Sequence, residues 1–588
     1  MLRENQRKFV DDAKRHALAG KIYFAELPTG YGKTNYVNPV LAIELAEQGE
    51  KVVISTYSNQ LVREIYAAFI DKHKAEVGNL KVGIVIGKDN YCDIKKIDDG
   101  FYDFFMDKDK TKEFIKSVNA DTVLFDDLFE ACEIAEDLQK TVKDRYKCVN
   151  RENIAESFDT LDISITNHVF LLAKILRDKE VDYKIILDEA DRVFDSMSLL
   201  LTSSFSILRF SILLKELIDK GIKGTSKLKS AYKESLSILK KFSSIKLVGE
   251  YIESNDSNFK KYVKALTESK KLNFSKKEIE LLKSLNASDL LNEYSELISI
   301  INAPNNDVMM YYSPVKGYPT LHYLKASIGG TFHNQIWTRV KGCIGISATM
   351  APMVTRYSDR ERNFLFYKLG LMGKTFDEIR VPIYLSIKSS FKKENAKIYL
   401  PEKTAPRNSS KEGIANEKWI EYISNVVSQT SDGANSLIIA GSFDETNSIF
   451  ERLKTLLSVN IVKAAPNRSV VSVVSEFKEK GGILIGTRNY SIGIDLPGKL
   501  LEKIYITKFL FPVQNTRYML DMKKNLGGAS FDISRNDMYM SLRQSIGRLL
   551  RTESDRGEIY VLDPRVYEPQ YRNAYEILDN YGIIKKNN

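Results

Sequence analysis

Ala25-Glu26-Leu27-Pro28-Thr29-Gly30-Tyr31-Gly32-Lys33-Thr34 stands between a short apolar run, Ile22 to Ala25, and a segment of helical pattern, Asn35 to Gln48. The run reads as a buried strand. A turn between strand and helix that contains Gly30 and Gly32 lets backbone N–H groups converge on an anion, and the helix N-terminus adds its positive end. Lys33 is placed to reach β and γ phosphates and Thr34 to hold Mg²⁺, so Thr29, Gly30, Tyr31, Gly32, Lys33 and Thr34 are candidate nucleotide contacts. The strict form of the pattern has Gly where Leu27 stands.

A chain of 588 residues exceeds one hydrophobic core, and three or four domains are expected. Hydrophobic content of 43% and charged content of 28% are those of a globular protein. The N-terminus, Met1 to Lys8, is charged, and no apolar run is long enough to span a bilayer; no membrane partner is expected. Four cysteines do not make a disulfide framework at this length, which points to a reducing cytoplasm. A net charge of +10 suits a polyanionic partner without demanding one.

Gln6 lies upstream of the loop, beside Arg3 and Phe9, on a helical stretch from Glu4 to Leu18. Its carboxamide can donate and accept together, as an adenine edge requires. Further strands are expected at Lys51 to Thr56, Val82 to Ile86 and Asp162 to His168, which gives an α/β domain with a parallel sheet and ligands at the strand C-terminal ends. The run Lys184-Ile185-Ile186-Leu187-Asp188-Glu189-Ala190-Asp191 ends a strand in two carboxylates, which are costly to bury without a cation. Asp188 is the expected Mg²⁺ residue and Glu189 the residue that orients and deprotonates the attacking water.

Two insertions interrupt this pattern. Residues 87–150 crowd aromatics, aspartates and lysines around Tyr91 to Phe105. Residues 196–305 have helical spacing, and 201–300 hold 18 Lys plus Arg against 12 Asp plus Glu, which suits either a solvated bundle or a basic lobe beside a nucleic acid. Cys343 to Thr349 gives another strand ending in Ser347-Ala348-Thr349, and after about Lys374 a second α/β set begins, with strands expected at 437–440, 483–486, 503–506 and 558–562. It has no second phosphate loop. It contains Gln544, Arg548 and Arg551, expected on one helix face by their i, i+4, i+7 spacing, a pattern suited to neutralising transition-state charge across a cleft.

In this order the segments resemble a superfamily 2 helicase of the DinG/XPD type, over nearly the whole chain. Glu26 to Thr34 matches the phosphate-loop motif, Asp188 to Asp191 motif II (with Asp191 where the family usually has His), Ser347 to Thr349 motif III, Gly486 to Gly498 motif V with Gly493, Asp495 and Pro497, and Gln544 to Arg551 motif VI. The resemblance implies two RecA-like parallel-sheet domains with two largely helical insertions in the first: residues 1–86, 151–195 and 306–374 form the first domain, 87–150 stands where the family carries an iron–sulfur domain, 196–305 where it carries the Arch, and 375–588 forms the second domain. It adds Asp495 to the nucleotide contacts. It implies an ATP- and Mg²⁺-dependent monomeric motor moving 5′ to 3′ on single-stranded DNA and unwinding forked duplex DNA.

Cys92 sits at the first cluster-ligand position, but only Cys132 and Cys148 follow before motif II and there is no Cys-x-x-Cys. No iron–sulfur cluster is therefore expected, as in the branch that includes CRISPR-associated DinG-like helicases, whose partners include an RNA-guided complex; DNA repair is the family's other setting. The alternatives are a DEAD-box-like remodeller of RNA or RNA–DNA hybrids, prompted by Asp191, and an ATP-gated module that binds nucleic acid and recruits partners without unwinding.

Overall fold

The computed structural model describes residues 2–118, 120–132, 142–143, 145–148, 158–178, 180–220, 226–242, 251–252, 257–285, 287–303, 308–312, 319–324, 328–350, 368–371, 383–386, 392–408, 416–465, 468, 470–491, 496, 498–512, 519, 529–550 and 555–586. Two seven-stranded parallel sheets carry the architecture. In the first, the strands that begin at Ile383, Ile22, Cys343, Lys184, Val52, Ile163 and Val82 lie side by side in that order. Both faces are covered, so the strands read as continuous apolar runs rather than alternating ones: Ile22–Glu26, Val52–Thr56, Lys184–Asp188 and Cys343–Ser347 are buried at every position. One face packs on helices Glu4–Leu18, Asn38–Ala46 and Asn59–Lys72, the other on His168–Arg177 and Val193–Leu201.

The second sheet runs Ile461, Ile483, Ser436, Lys503, Gly557, Ala396, Ile583 by first residue. Its core is built from Ile398, Leu437, Leu484, Ile504 and Ile559 against Phe477, Met538 and Ile577. The boundary between the halves lies later than Lys374. Strand Ile383–Ser386 pairs with Ile22–Glu26 in the first sheet, and the second sheet's first strand begins at Ala396. A four-residue apolar segment has no signature that says which sheet takes it; an open edge beside Ile22–Glu26 decides.

The 87–150 insertion has a core of its own. Two short antiparallel strands, Tyr91–Asp93 and Thr122–Leu124, pin a cluster of Phe101, Phe105, Ile115, Phe125, Leu128 and Tyr146, with Cys92 and Cys132 buried among them. The second insertion departs from its expected limits and content. Helix Val193–Leu201 still packs in the first domain through Val193, Phe194 and Met197. The insertion begins at Thr202 and runs to Leu324, because Thr202–Ser206 pairs antiparallel with Pro319–Leu324 in a four-stranded sheet with Val308–Tyr312 and Tyr251–Ile252. Helices Ile207–Asp219, Ser226–Phe242, Ser257–Thr267, Lys276–Ser284 and Ser288–Ile301 lie between the first and later strands of that sheet and share its core through Phe205, Phe210, Tyr262, Tyr294 and Leu321. The serine-rich strand at 202–206 has little hydrophobic alternation, and its partner lies far along the chain. The two insertions meet where Lys147 Nζ lies 3.1 Å from Asp289.

Thr202 and Leu324 are register partners, so their Cα atoms lie about 5 Å apart. Replacing 202–324 by a short Gly-Ser linker is expected to leave a soluble protein with one cooperative loss of the two parallel-sheet cores. Removing 196–305 instead takes Met197 and Leu201 from the first core and strands the Val308–Leu324 hairpin; lower soluble yield and an earlier thermal transition, followed by circular dichroism, are expected.

Candidate nucleotide site

Burial of charge at neighbouring strand ends builds the site. Glu26, Ser347 and Asp188 close three adjacent strands, with Glu26 opposite Ser347 and Ile346 opposite Asp188. The loop leaves the first of these strands with Gly30 at φ 76° and Gly32 at φ 85°, a region glycine enters without a Cβ penalty. A Cβ on Gly32 would stand 2.9 Å from Gln6 Nε2 and 3.2 Å from Tyr36 Cδ2, so the loop closes against both side chains. The expected helix start at Asn35 is a π-helical turn, Lys33–Val37, that runs into helix Asn38–Ala46.

Lys33 is buried, and its Nζ donates to the Leu27 carbonyl at 3.1 Å and lies 3.5 Å from that of Pro28. Burial lowers its pKa, while Glu189 and Asp188 act in the opposite sense. Thr34 Oγ1 donates to Asp188 Oδ2 at 3.4 Å. Burial, then the neighbouring Glu189, holds Asp188 well above the usual carboxylate range, and its Oδ1 is buried with no hydrogen-bond partner among the described residues. A hydroxyl beside a carboxylate with one unsatisfied oxygen fits a hard divalent cation that takes its remaining oxygens from phosphates and water. Among the described residues no group of three or more His, Cys, Asp or Glu could hold a metal by itself.

Glu189 is the one non-glycine residue of the described chain at positive φ, 52°. Holding it left-handed costs roughly 1–2 kcal/mol, and such strain clusters at functional sites. Behind it, Gly345 gives room: a Cβ there would lie 2.4 Å from the Phe24 ring and 3.2 Å from Ala190 Cβ. Ser347 Oγ donates to Asp191 Oδ1 at 2.5 Å and lies 3.3 Å from Glu189 Oε2. Asp191, pushed up to about 6 chiefly by burial, also accepts from Gln544 Nε2 at 3.0 Å. Gln544 Nε2 donates to Thr349 Oγ1 at 2.9 Å as well, and Gln544 Oε1 accepts from Arg192 at 2.6 Å. The second domain is thereby tied to motifs II and III of the first.

Motif VI differs from expectation in one respect. Helix Ala529–Ile546 ends before Arg548, so Gln544 and Arg548 do not share a continuous helix face. A Cβ on Gly547 would meet Thr29 Oγ1 at 2.7 Å, so the chain just past the helix lies against the phosphate loop. Arg548 lies near enough to Lys33 to help lower its pKa. Arg551 and Asp495, with Gly493 and Pro497, lie outside the described residues.

Gln6 sits under the loop. Its Nε2 donates to the Tyr31 carbonyl, 2.5 Å, and its Oε1 accepts from Arg3 N–H, 2.7 Å, so both ends of the carboxamide are used within the protein. Arg543, Arg192 and Glu26 carry no site signature in the sequence, yet all three are engaged here. Arg543 donates to both oxygens of Glu26 at 2.8 and 3.3 Å in a pair buried on both sides. An acid closing a fully apolar strand was the available signal, since a buried charge requires a partner.

A Helicase C-terminal domain model matches residues 423–576. The curated relatives include an ATP-dependent DNA helicase DinG of Photobacterium profundum, 26% identical over 44% of this chain and 36% of that protein. A probable ATP-dependent helicase of Methanocaldococcus jannaschii is 26% identical over 26% of this chain and 27% of its own length. A 3'-5' exonuclease DinG of Staphylococcus haemolyticus is 26% identical over 36% of this chain and 24% of its own length. The chain thus spans about a third or less of these relatives. A solved XPD helicase superposes over the full length of both chains with a TM-score of 0.64 at 16% identity, and Xpd4 of S. tokodaii over both full lengths with 0.57 at 14%. The chain shares the fold of solved XPD helicases, and its second half carries the Helicase C-terminal domain.

Gly345→Ala should overpack Phe24 and Ala190 beneath Glu189. A loss of about 1–3 kcal/mol in urea denaturation is expected, with ATP turnover reduced beyond the change in folded fraction.

Proposed function

We propose that this chain is an ATP-dependent helicase that translocates 5′ to 3′ on single-stranded DNA and opens forked duplexes. The observation that carries the reading is the hydrogen-bonded path from Ser347 through Asp191 and Gln544 into the second sheet domain, beside Lys33, Glu189 and Arg548. Two parallel-sheet halves joined by side chains at a phosphate loop can convert closure around a nucleotide into relative movement. DNA as substrate and the direction of movement rest on the DinG/XPD resemblance.

In this reading the loop N–H groups and Lys33 hold the phosphates. Glu189, fixed by its left-handed backbone, takes the proton of the attacking water, and Arg548 faces the developing charge from the opposite domain. Magnesium, held by Thr34 and Asp188, would offset phosphate charge. Ser347 has one hydroxyl proton for two carboxylates, and its shorter contact is to Asp191.

We also propose that the first insertion works without an iron–sulfur cluster. Cys92 and Cys132 face into an aromatic core, and burial pushes the Cys92 thiol up to about 12, opposite to what a thiolate ligand needs. Cys343 is buried in a central strand.

Glu189→Gln is expected to keep ATP binding and to lose hydrolysis by about 10²–10⁴-fold; turnover at the wild-type rate would remove Glu189 as the base. Lys33→Ala should weaken binding or turnover. Forked substrates with a single 5′ overhang should be unwound and those with a single 3′ overhang should not. Protein purified without oxygen is expected to be colourless with negligible iron; stoichiometric iron lost in Cys92→Ser would overturn the cluster-free reading.

A further inference from the structure

Glu26 and Arg543 form the most buried ion pair among the described residues, with side chains 4% and 3% exposed. Glu26 is the last residue of the strand that feeds the phosphate loop. Its Oε1 accepts from Arg543 Nη2 at 2.8 Å, and its Oε2 accepts from Arg543 Nη1 at 3.3 Å and from Met350 N–H at 2.8 Å. One carboxylate therefore gathers the loop strand, the segment after Ser347-Ala348-Thr349 and the helix of the other domain. Arg543 Nε also donates to Tyr581 OH at 3.4 Å, which fixes the guanidinium from its own side.

Arg543 immediately precedes Gln544, whose amide reaches Asp191 and Thr349, and Gly547 packs against Thr29 one turn on. We propose that Glu26 and Arg543 are positioning residues, whose pairing latches the second domain onto the phosphate loop and thereby sets Gln544 and Arg548 against the bound nucleotide. The proposal rests on the ATPase reading above. Neither residue need touch ATP, since both oxygens of Glu26 are engaged within the protein.

A buried pair suits a reversible latch. Its attraction is offset by the loss of hydration, so closure gains geometry without becoming too stable to reopen. Losing one partner is different: closing would then bury a lone charge, whereas the open form would leave that charge in water. The penalty falls on the closed state.

The test uses the full-length protein with Glu47→Cys and Lys478→Cys, two exposed positions on the two halves, labelled with a dye pair. The four native cysteines are buried, so the dyes go to the introduced ones. With a non-hydrolysable ATP analogue, energy transfer should report closure in the parent. Arg543→Ala should shift the population to the open form and lower kcat about a hundredfold or more, with affinity for the analogue changed less than about threefold, because the loop itself is intact. Glu26→Gln combined with Arg543→Gln removes both charges and should recover closure and at least about tenfold of the lost turnover, since no lone charge remains. Arg543→Lys keeps the charge but loses the two-pronged contact and should lie between; it carries the test if Arg543→Ala fails to fold. Wild-type closure in Arg543→Ala or Arg543→Lys overturns the proposal, as does a double variant no better than Arg543→Ala. A parent that closes on the analogue but does not hydrolyse ATP would instead overturn the motor reading and leave the latch measurable.

Discussion

Four carboxylates, Glu26, Asp188, Glu189 and Asp191, sit at or just beyond the C-terminal ends of neighbouring strands in one parallel sheet, and three of them are almost wholly buried. A sheet end this acidic is unfavourable unless each charge is met or its proton retained. Lys33 and Thr34 answer Asp188 from within the first domain, and Arg192 lies 3.5 Å from Asp191. Glu26 is answered by an arginine from the second domain. The first domain alone leaves its own charge unbalanced, and this gives the second domain a specific place to dock.

Polar contacts at that dock are short and directional. Lys368 and Asp537, 2.5 Å apart, repeat the pattern of a nearly buried ion pair between segments on either side of the boundary. A hydrophobic interface would resist opening in proportion to its area, whereas paired charges can exchange each other for water at modest net cost. That distinction bears on the proposed ATPase cycle, in which the halves part at each turnover.

The elements most legible in the sequence are those whose burial is complete. Ile22–Glu26, Lys184–Asp188, Cys343–Ser347 and Ile483–Gly486 appear as apolar runs because both faces of each sheet are covered, and helix Glu4–Leu18 has the limits its periodicity gives. Ala396–Leu400 and Ile583–Lys586 are missed because they lie toward the sheet edge with lysines among their apolar residues. Thr202–Ser206 is missed because its partner at Pro319–Leu324 is remote in sequence. At the site, the residue types proposed to act by chemistry, Lys33, Asp188 and Glu189, stand out in a single chain. Arg543 does not, because its meaning depends on Glu26, more than five hundred positions away. The helix end at Ile546 and the approach of Gly547 to Thr29 just beyond it are likewise not encoded in local periodicity.

Strand order has a consequence for biosynthesis. Ile22–Glu26 precedes the other strands of its sheet, yet its neighbours are Cys343–Ser347 and Ile383–Ser386, so both of its edges stay unpaired while the intervening chain is made. At about 5–20 residues per second that wait is roughly 15 to 60 s. An apolar strand with two open edges is a template for association with other chains. The insertions, whose cores draw on nearer segments, can fold during the same interval. The loop is therefore made long before the strands that flank it and gains its final surroundings late, and a nascent chain stalled before Ser347 should depend most on chaperones.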